Sequence, residues 1–279
     1  MTYLPNIDTS EKGVYALPDR CRVGVLGENA MPHVVNHGVR IHYEIEGSGP
    51  PLVLQHGTLG SGEDWKDFGY VDALKGTYQL ILIDARGHGA SDKPHEPASY
   101  DLALRAGDVT TVLNDLRIHQ ANYFGYSLGA WIGFGLVKYA PDRFNSMVLG
   151  GAHPYAENMQ AFRDLMPKDP HAFLMMMESV WGSYMTEAMR ARVAANDLEA
   201  ILALTQDRES MAEILSTMTM PCLLFVGEAD PRFPKVQECV KHLPNGNLFS
   251  LPNCSHVDGY ARSDLVLPHV LEFLDKARH

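Results

Sequence analysis

The chain is poor in cysteine, in basic residues and in long apolar runs, and each shortage excludes something. Its four cysteines, Cys21, Cys222, Cys239 and Cys254, are widely scattered and form no CxxC pair. Neither a zinc site nor a disulfide framework is therefore expected, and no cofactor; a reducing cytoplasm fits that usage. Lysine and arginine total 23 against 34 acidic residues, a formal charge of -11. Such an excess of negative charge disfavours nucleic acid and anionic lipid surfaces as partners, so a small-molecule substrate is expected instead. No uninterrupted apolar run reaches the roughly 18 residues of a membrane span. The opening MTYLPNIDTSEKG also lacks the basic-then-apolar pattern of a secretion signal.

What is present suits a globular core. Of the 279 residues, 46% are hydrophobic and 20% charged, which allows one large domain or two modest ones. Strand-length apolar runs at residues 33–36, 40–45, 51–55, 79–84, 122–126, 146–150, 222–226 and 246–251 alternate with amphipathic, helix-length segments. That alternation predicts an α/β protein whose mostly parallel eight-stranded sheet is flanked by crossover helices. The first two runs are separated by His37 and Gly38, a turn that predicts an antiparallel hairpin at the start of the sheet. Helices are expected over 65–75, 102–117, 128–139, 234–242 and 263–276, where apolar residues recur at three- and four-residue spacing.

Between His153 and Pro221 the strand signals stop and a methionine-rich helical pattern replaces them. The expected organisation is a core of residues 31–152 and 221–279 with a helical cap at 153–220. Residues 1–30 contain Pro5, Gly13, Pro18, Gly24 and Gly27 without periodicity, and are read as an N-terminal arm.

Residues 122–129 place G-x-S-x-G, centred on Ser127, between a short apolar strand and a helix. A serine on so sharp a turn is held in a strained backbone conformation, and the flanking glycines remove side chains that would clash. Its hydroxyl then stands at a helix N-terminus, where free amides favour a developing oxyanion. By itself the motif is weak in a chain with 24 glycines, and the alternative is a turn whose serine merely caps a helix.

From His33 onward the chain resembles the α/β-hydrolase family. Besides the elbow, Gln55-His56-Gly57-Thr58 is similar to that family's oxyanion loop, and residues 84–91 resemble its D-x-R-G-x-G-x-S stretch. The resemblance implies Ser127 as nucleophile and the backbone N–H groups of Leu128 and Thr58 as the oxyanion hole. It implies structural roles for His56, Asp84 and Arg86. Among 13 histidines, it singles out His256 as general base, in the loop between the last strand and the last helix. Asp230 matches the family's G-x-x-D position as the acid that orients the histidine, with Glu228 as runner-up. Relatives that form an alkyl-enzyme ester carry aspartate where this chain has Ser127.

The function expected from this set is hydrolysis of a carboxylic ester, thioester or lactone through an acyl-serine. Ten of the 13 methionines lie between His153 and Pro221. Most should pack helices, but those facing Ser127, together with Trp131, Trp181 or Tyr184, would form an apolar pocket suited to an apolar or aromatic ester. Cys254 reads as a small buried hydrophobe rather than a redox thiol. Carbon–carbon bond hydrolysis, cofactor-free haloperoxidase activity and hydroxynitrile cleavage remain open on the same three residues. So does a non-enzymatic ligand receptor of the same fold.

Overall fold

Short runs of leucine, isoleucine, valine and phenylalanine, bounded by turn residues, pair as one eight-stranded sheet in the computed structural model, which describes residues 32–278. The strands are β1 (His33–Asn36), β2 (Val39–Glu46), β3 (Pro51–Gln55), β4 (Gln79–Ile83), β5 (Ala121–Tyr126), β6 (Phe144–Gly150), β7 (Cys222–Gly227) and β8 (Gly246–Leu251). Their order is β1-β2-β4-β3-β5-β6-β7-β8. The β1–β2 and β2–β4 pairs are antiparallel and the rest parallel, as expected for an α/β fold opened by a hairpin. All these residues belong to one compact unit, Met31–His279. The N-terminal arm read from residues 1–30, with Cys21, lies outside the described residues.

Strand periodicity sorts the core into two layers. Leu52, Leu54, Leu80, Leu82 and Phe124 pack on one face against Trp65, Tyr70, Leu74, Val266 and Val270. Val53, Ile81, Ile83 and Tyr123 pack on the other against Val109, Val112, Ile132, Phe134 and Val236. Each such aliphatic side chain contributes about 1.5–3 kcal/mol by leaving water. The helices that supply these layers are α1 (Gly62–Asp67), α2 (Tyr70–Leu74), α3 (Leu102–Asp115), α4 (Leu128–Tyr139) and, nearer the C-terminus, three more described below. The single helix expected over 65–75 is in fact two, α1 and α2. Gly69 takes φ 80°, a left-handed conformation that ends the first helix and starts the second.

Between β6 and β7 the chain is helical, as expected, with α5 (Gln160–Leu165), α6 (Pro170–Trp181), α7 (Glu187–Ala194) and α8 (Leu198–Leu204). Side-chain oxygens start three of them: Asp169 accepts from Ala172 N, Thr186 from Met189 N, and Asp197 from Ala200 N, each cap contributing about 1 kcal/mol. Phe173, Leu174, Met177, Met189, Val193 and Ile201 form a small core of their own. The segment's ends are tied by paired backbone bonds between Glu157 and Arg208, at 3.0 and 2.9 Å. After β7 follow α9 (Phe233–Val240), α10 (Asp258–Ala261) and α11 (Ser263–Lys276). Among the described residues no helix is long and apolar enough to cross a membrane.

Candidate active site

β5 hands directly to α4 at Ser127, whose backbone takes φ 53° and ψ -110°. For a residue with a side chain this region costs on the order of 1–3 kcal/mol, and it persists only where the surroundings impose it. Here Ser127 N donates to Gly150 O at 2.8 Å, and Trp131 N donates to Ser127 O at 3.0 Å. The flanking glycines are required by close approach. A Cβ on Gly129 would lie 2.0 Å from Gln55 O, and one on Gly125 would lie 2.5 Å from the Gly129 carbonyl.

The three residues singled out after β5, β7 and β8 meet. Ser127 Oγ lies 2.9 Å from His256 Nε2, and His256 Nδ1 lies 2.5 Å from Asp230 Oδ2. The Asp230 side chain is wholly buried whereas that of His256 remains 31% exposed. Burial raises the Asp230 carboxyl, but the hydrogen bond and charge of His256 and the Arg232 amide, 2.9 Å from Oδ1, outweigh it and hold Asp230 below the usual range. An ionised Asp230 makes Nδ1 the donor, which leaves the Nε2 lone pair facing the serine hydroxyl. The histidine loop is pinned from two sides. Tyr126 Oη donates to His256 O at 2.5 Å, and Ser255 donates to Asp258 through both its amide and its hydroxyl, at 2.7 and 2.6 Å.

Glu228 turns away and accepts from Ser250 Oγ at 2.7 Å. His56 is wholly buried: its Nε2 accepts from Ala85 N at 3.0 Å, so Nδ1 is protonated and donates to Gly57 O at 2.7 Å. Burial lowers its pKa further. Asp84 accepts from Gly62 N and Ala90 N, both at 2.8 Å, and Arg86 forms a fork with Asp108 at 2.6 Å on each arm. These three brace the loops around the serine. Cys254 is buried, and burial raises its thiol pKa.

Two cavities meet at Thr58. The smaller is lined by Gly57, Thr58, Ser127, Trp181 and His256, together with Asp64 and Tyr260. The larger, of about 390 Å³, runs between α3, α4 and the helical segment, and Thr58, Leu128 and Trp131 are on its wall. Leu128 is the first residue of α4, so its N–H has no intrahelical acceptor. Trp181 therefore borders the serine and Trp131 the adjoining cavity, while Tyr184 lines neither. The reason is a bond made elsewhere: Tyr184 Oη donates to Asp258 Oδ1 at 2.8 Å.

Asp64 was not singled out by any sequence signal, because it reads as an ordinary acidic residue in the first turn of a helix. It is buried beside the serine pocket, 3.4 Å from Arg192 of α7, which also pairs with Asp67. Burial raises its carboxyl to about 7, with Arg192 and the Ser61 amide offsetting only part of the cost. An unfolded aspartate titrates near about 4. Between these values the folded chain binds the proton more tightly than the unfolded chain, so this group's contribution to stability falls as pH rises and levels off above about pH 7. Asp64→Asn cannot ionise. The stability of the wild type relative to this variant, measured by urea unfolding, should thus drop by on the order of 2 kcal/mol between about pH 5 and 8. A pH-independent difference would mean that Arg192 keeps Asp64 ionised throughout.

Comparison with known proteins agrees with this fold. Residues 50–180 match the family described as the alpha/beta hydrolase fold. The enol-lactonase from Burkholderia xenovorans LB400 superposes with a TM-score of 0.77 at 23% identity, over 88% of this chain and 100% of that one. The esterase RhEst1 from Rhodococcus sp. ECU1013 gives 0.77 at 23% identity, over 88% and 98%. A Bacillus subtilis (strain 168) protein assigned as a 2-succinyl-6-hydroxy-2,4-cyclohexadiene-1-carboxylate synthase is 26% identical over 271 residues, 86% of this chain and 96% of its own length. The chain has the α/β-hydrolase fold, and the stretch that matches the family is residues 50–180.

Proposed function

We propose that the protein is a serine hydrolase that cleaves a carboxylic ester, thioester or lactone through an acyl-serine intermediate. The observation that carries this reading is the hydrogen-bonded series from Ser127 Oγ to His256 Nε2 and from His256 Nδ1 to Asp230, built on a strained elbow. A serine hydroxyl is almost wholly protonated at neutral pH, so it attacks only as a base removes its proton. In the proposed reaction Ser127 Oγ adds to the substrate carbonyl while its proton passes to His256 Nε2. The carbonyl oxygen, now an anion, is held by the N–H groups of Leu128 and Thr58. Asp230 stabilises the imidazolium and keeps its orientation. Collapse returns the proton to the departing alcohol, thiol or lactone hydroxyl. Water then attacks the acyl-serine with His256 again as base, and Ser127 is released with the acid product.

In this reading residues 153–220 act as a cap over the core formed by 31–152 and 221–279. The cap supplies Trp181 to the serine pocket and much of the wall of the larger cavity. The experiment that tests the reading is incubation with a fluorophosphonate probe followed by peptide mapping. One adduct on Ser127, prevented by prior denaturation, is expected; adducts elsewhere or none would overturn it.

The Bacillus subtilis relative favours a second reading, because it is matched over nearly its whole length and its name is that of a synthase. There the same serine and histidine would serve a reaction other than ester hydrolysis. A panel of aryl esters and lactones, run beside an assay for formation of the cyclohexadiene carboxylate that names the relative, separates the two.

A further inference from the structure

The larger cavity is walled by Arg105, Lys138 and Arg208 alongside Asp101, Asp207 and Glu209, and two buried donors among its lining residues have no acceptor. Arg105, on α3, is 3% exposed. Its Nε donates to Tyr100 O at 2.7 Å and one terminal nitrogen to Leu204 O at 2.8 Å. Both partners are neutral carbonyls, and Nη1 has no partner among the described residues. Trp131, 9% exposed, has its indole Nε1 likewise buried and unpaired. The guanidinium of Arg208 lies over the Trp131 ring at 4.9 Å and that of Arg105 at 5.7 Å. Arg208 has a carboxylate partner, Glu157 at 3.0 Å, but shares it with Arg232 at 2.6 Å. All three of Arg105, Trp131 and Arg208 line the same space as Leu128 and Thr58.

Buried donors left unpaired cost about 1–3 kcal/mol each, and more when charged. Arg105 and Trp131, on one cavity wall, each carry such a donor, which an acceptor from outside would satisfy. Burial, then the nearby Arg208 charge, pulls the Arg105 pKa down to about 9, and burial brings Arg208 to about 10; both remain cations at neutral pH. Asp101, Asp207 and Glu209 also border the cavity. Their charges oppose a dianion and leave a singly charged carboxylate as the acceptor that two unpaired donors favour. The wall also carries apolar side chains, Met159, Phe162, Leu204 and Met211, beside polar ones, Lys138, Thr205, Gln206 and Ser210.

We propose that this cavity recognises a carboxylate on the substrate: Arg105 and the Trp131 N–H bind it, Arg208 adds its charge, and an apolar chain joins it to the reacting carbonyl. The word substrate rests on the hydrolase reading; the anion site does not. It revises the expectation of an uncharged ester, since Arg105 lies within the apolar stripe of α3 and reads in sequence as one more helical cation.

The test is calorimetric binding to Ser127→Ala of monoethyl adipate and of ethyl hexanoate, which has a similar chain without the carboxylate. The monoester should bind at least about tenfold more tightly, as expected for a charge-assisted hydrogen bond. Arg105→Met in that background should abolish the preference. Trp131→Phe, which keeps a ring and removes the N–H, should reduce it roughly threefold. Should Arg105→Met fail to fold, the wild-type preference and Trp131→Phe still decide the matter. Equal binding of the two ligands, a preference that survives Arg105→Met, or tighter binding of inorganic phosphate would overturn the proposal. Binding needs no turnover. A chain that prefers the monoester but resists the fluorophosphonate keeps the anion site and loses the hydrolase reading; labelling at Ser127 with no preference does the reverse.

Discussion

Replacing Ser127 by alanine should lower kcat/KM for a simple aryl ester by on the order of a thousandfold or more, with the fold unchanged. Oγ is the attacking atom in the proposed mechanism, and residues that act as a unit lose nearly everything when one is removed. Alanine keeps the Cβ that already fits the elbow, 3.3 Å from where a Cβ on Gly57 would lie. The strained φ of 53° at Ser127 is imposed by the backbone bonds to Gly150 and from Trp131, none of which involves the hydroxyl. Thermal unfolding should therefore change little while activity vanishes. A variant retaining most of its turnover would move the nucleophile elsewhere.

Asp230→Asn should be comparably damaging, with activity down on the order of ten thousandfold. An amide in place of the carboxylate can present N–H to His256 Nδ1, which then becomes an acceptor and places its proton on Nε2, where the serine hydroxyl needs a lone pair. The neutral amide would also fail to stabilise the imidazolium in a site where the native carboxylate is wholly buried. Glu228→Gln is the matched control. Its carboxylate bonds Ser250 on an exposed edge of the sheet, so kcat/KM should stay within about threefold of wild type, the usual scale for a surface substitution. If the two effects were exchanged, the orienting acid would be Glu228.

Much of the site was legible because its signals are local. A glycine-flanked serine between an apolar strand and an apolar helix favours a sharp turn, and the strand ends after β7 and β8 mark where loop residues collect in a mostly parallel sheet. The order of Ser127, Asp230 and His256 along the chain then matches the order of those strand ends. Burial of alternate residues on β3 and β4 likewise follows from a period of two.

The chain's own pattern thus determined the sheet, the elbow and the helical segment between β6 and β7, because each depends on residues a few positions apart. Only the tertiary structure decided which side chains face the chemistry. Tyr184 was expected in the pocket and is held by Asp258 instead, a partner 74 positions away. Asp64 and Arg192 come together from α1 and α7. Arg105, Trp131 and Arg208 share one cavity wall although they come from α3, α4 and the loop after α8. Periodicity specifies which face of a helix is buried. It does not specify what lies opposite that face, since this depends on how separate elements pack, and that packing leaves Arg105 in the cavity without a carboxylate of its own.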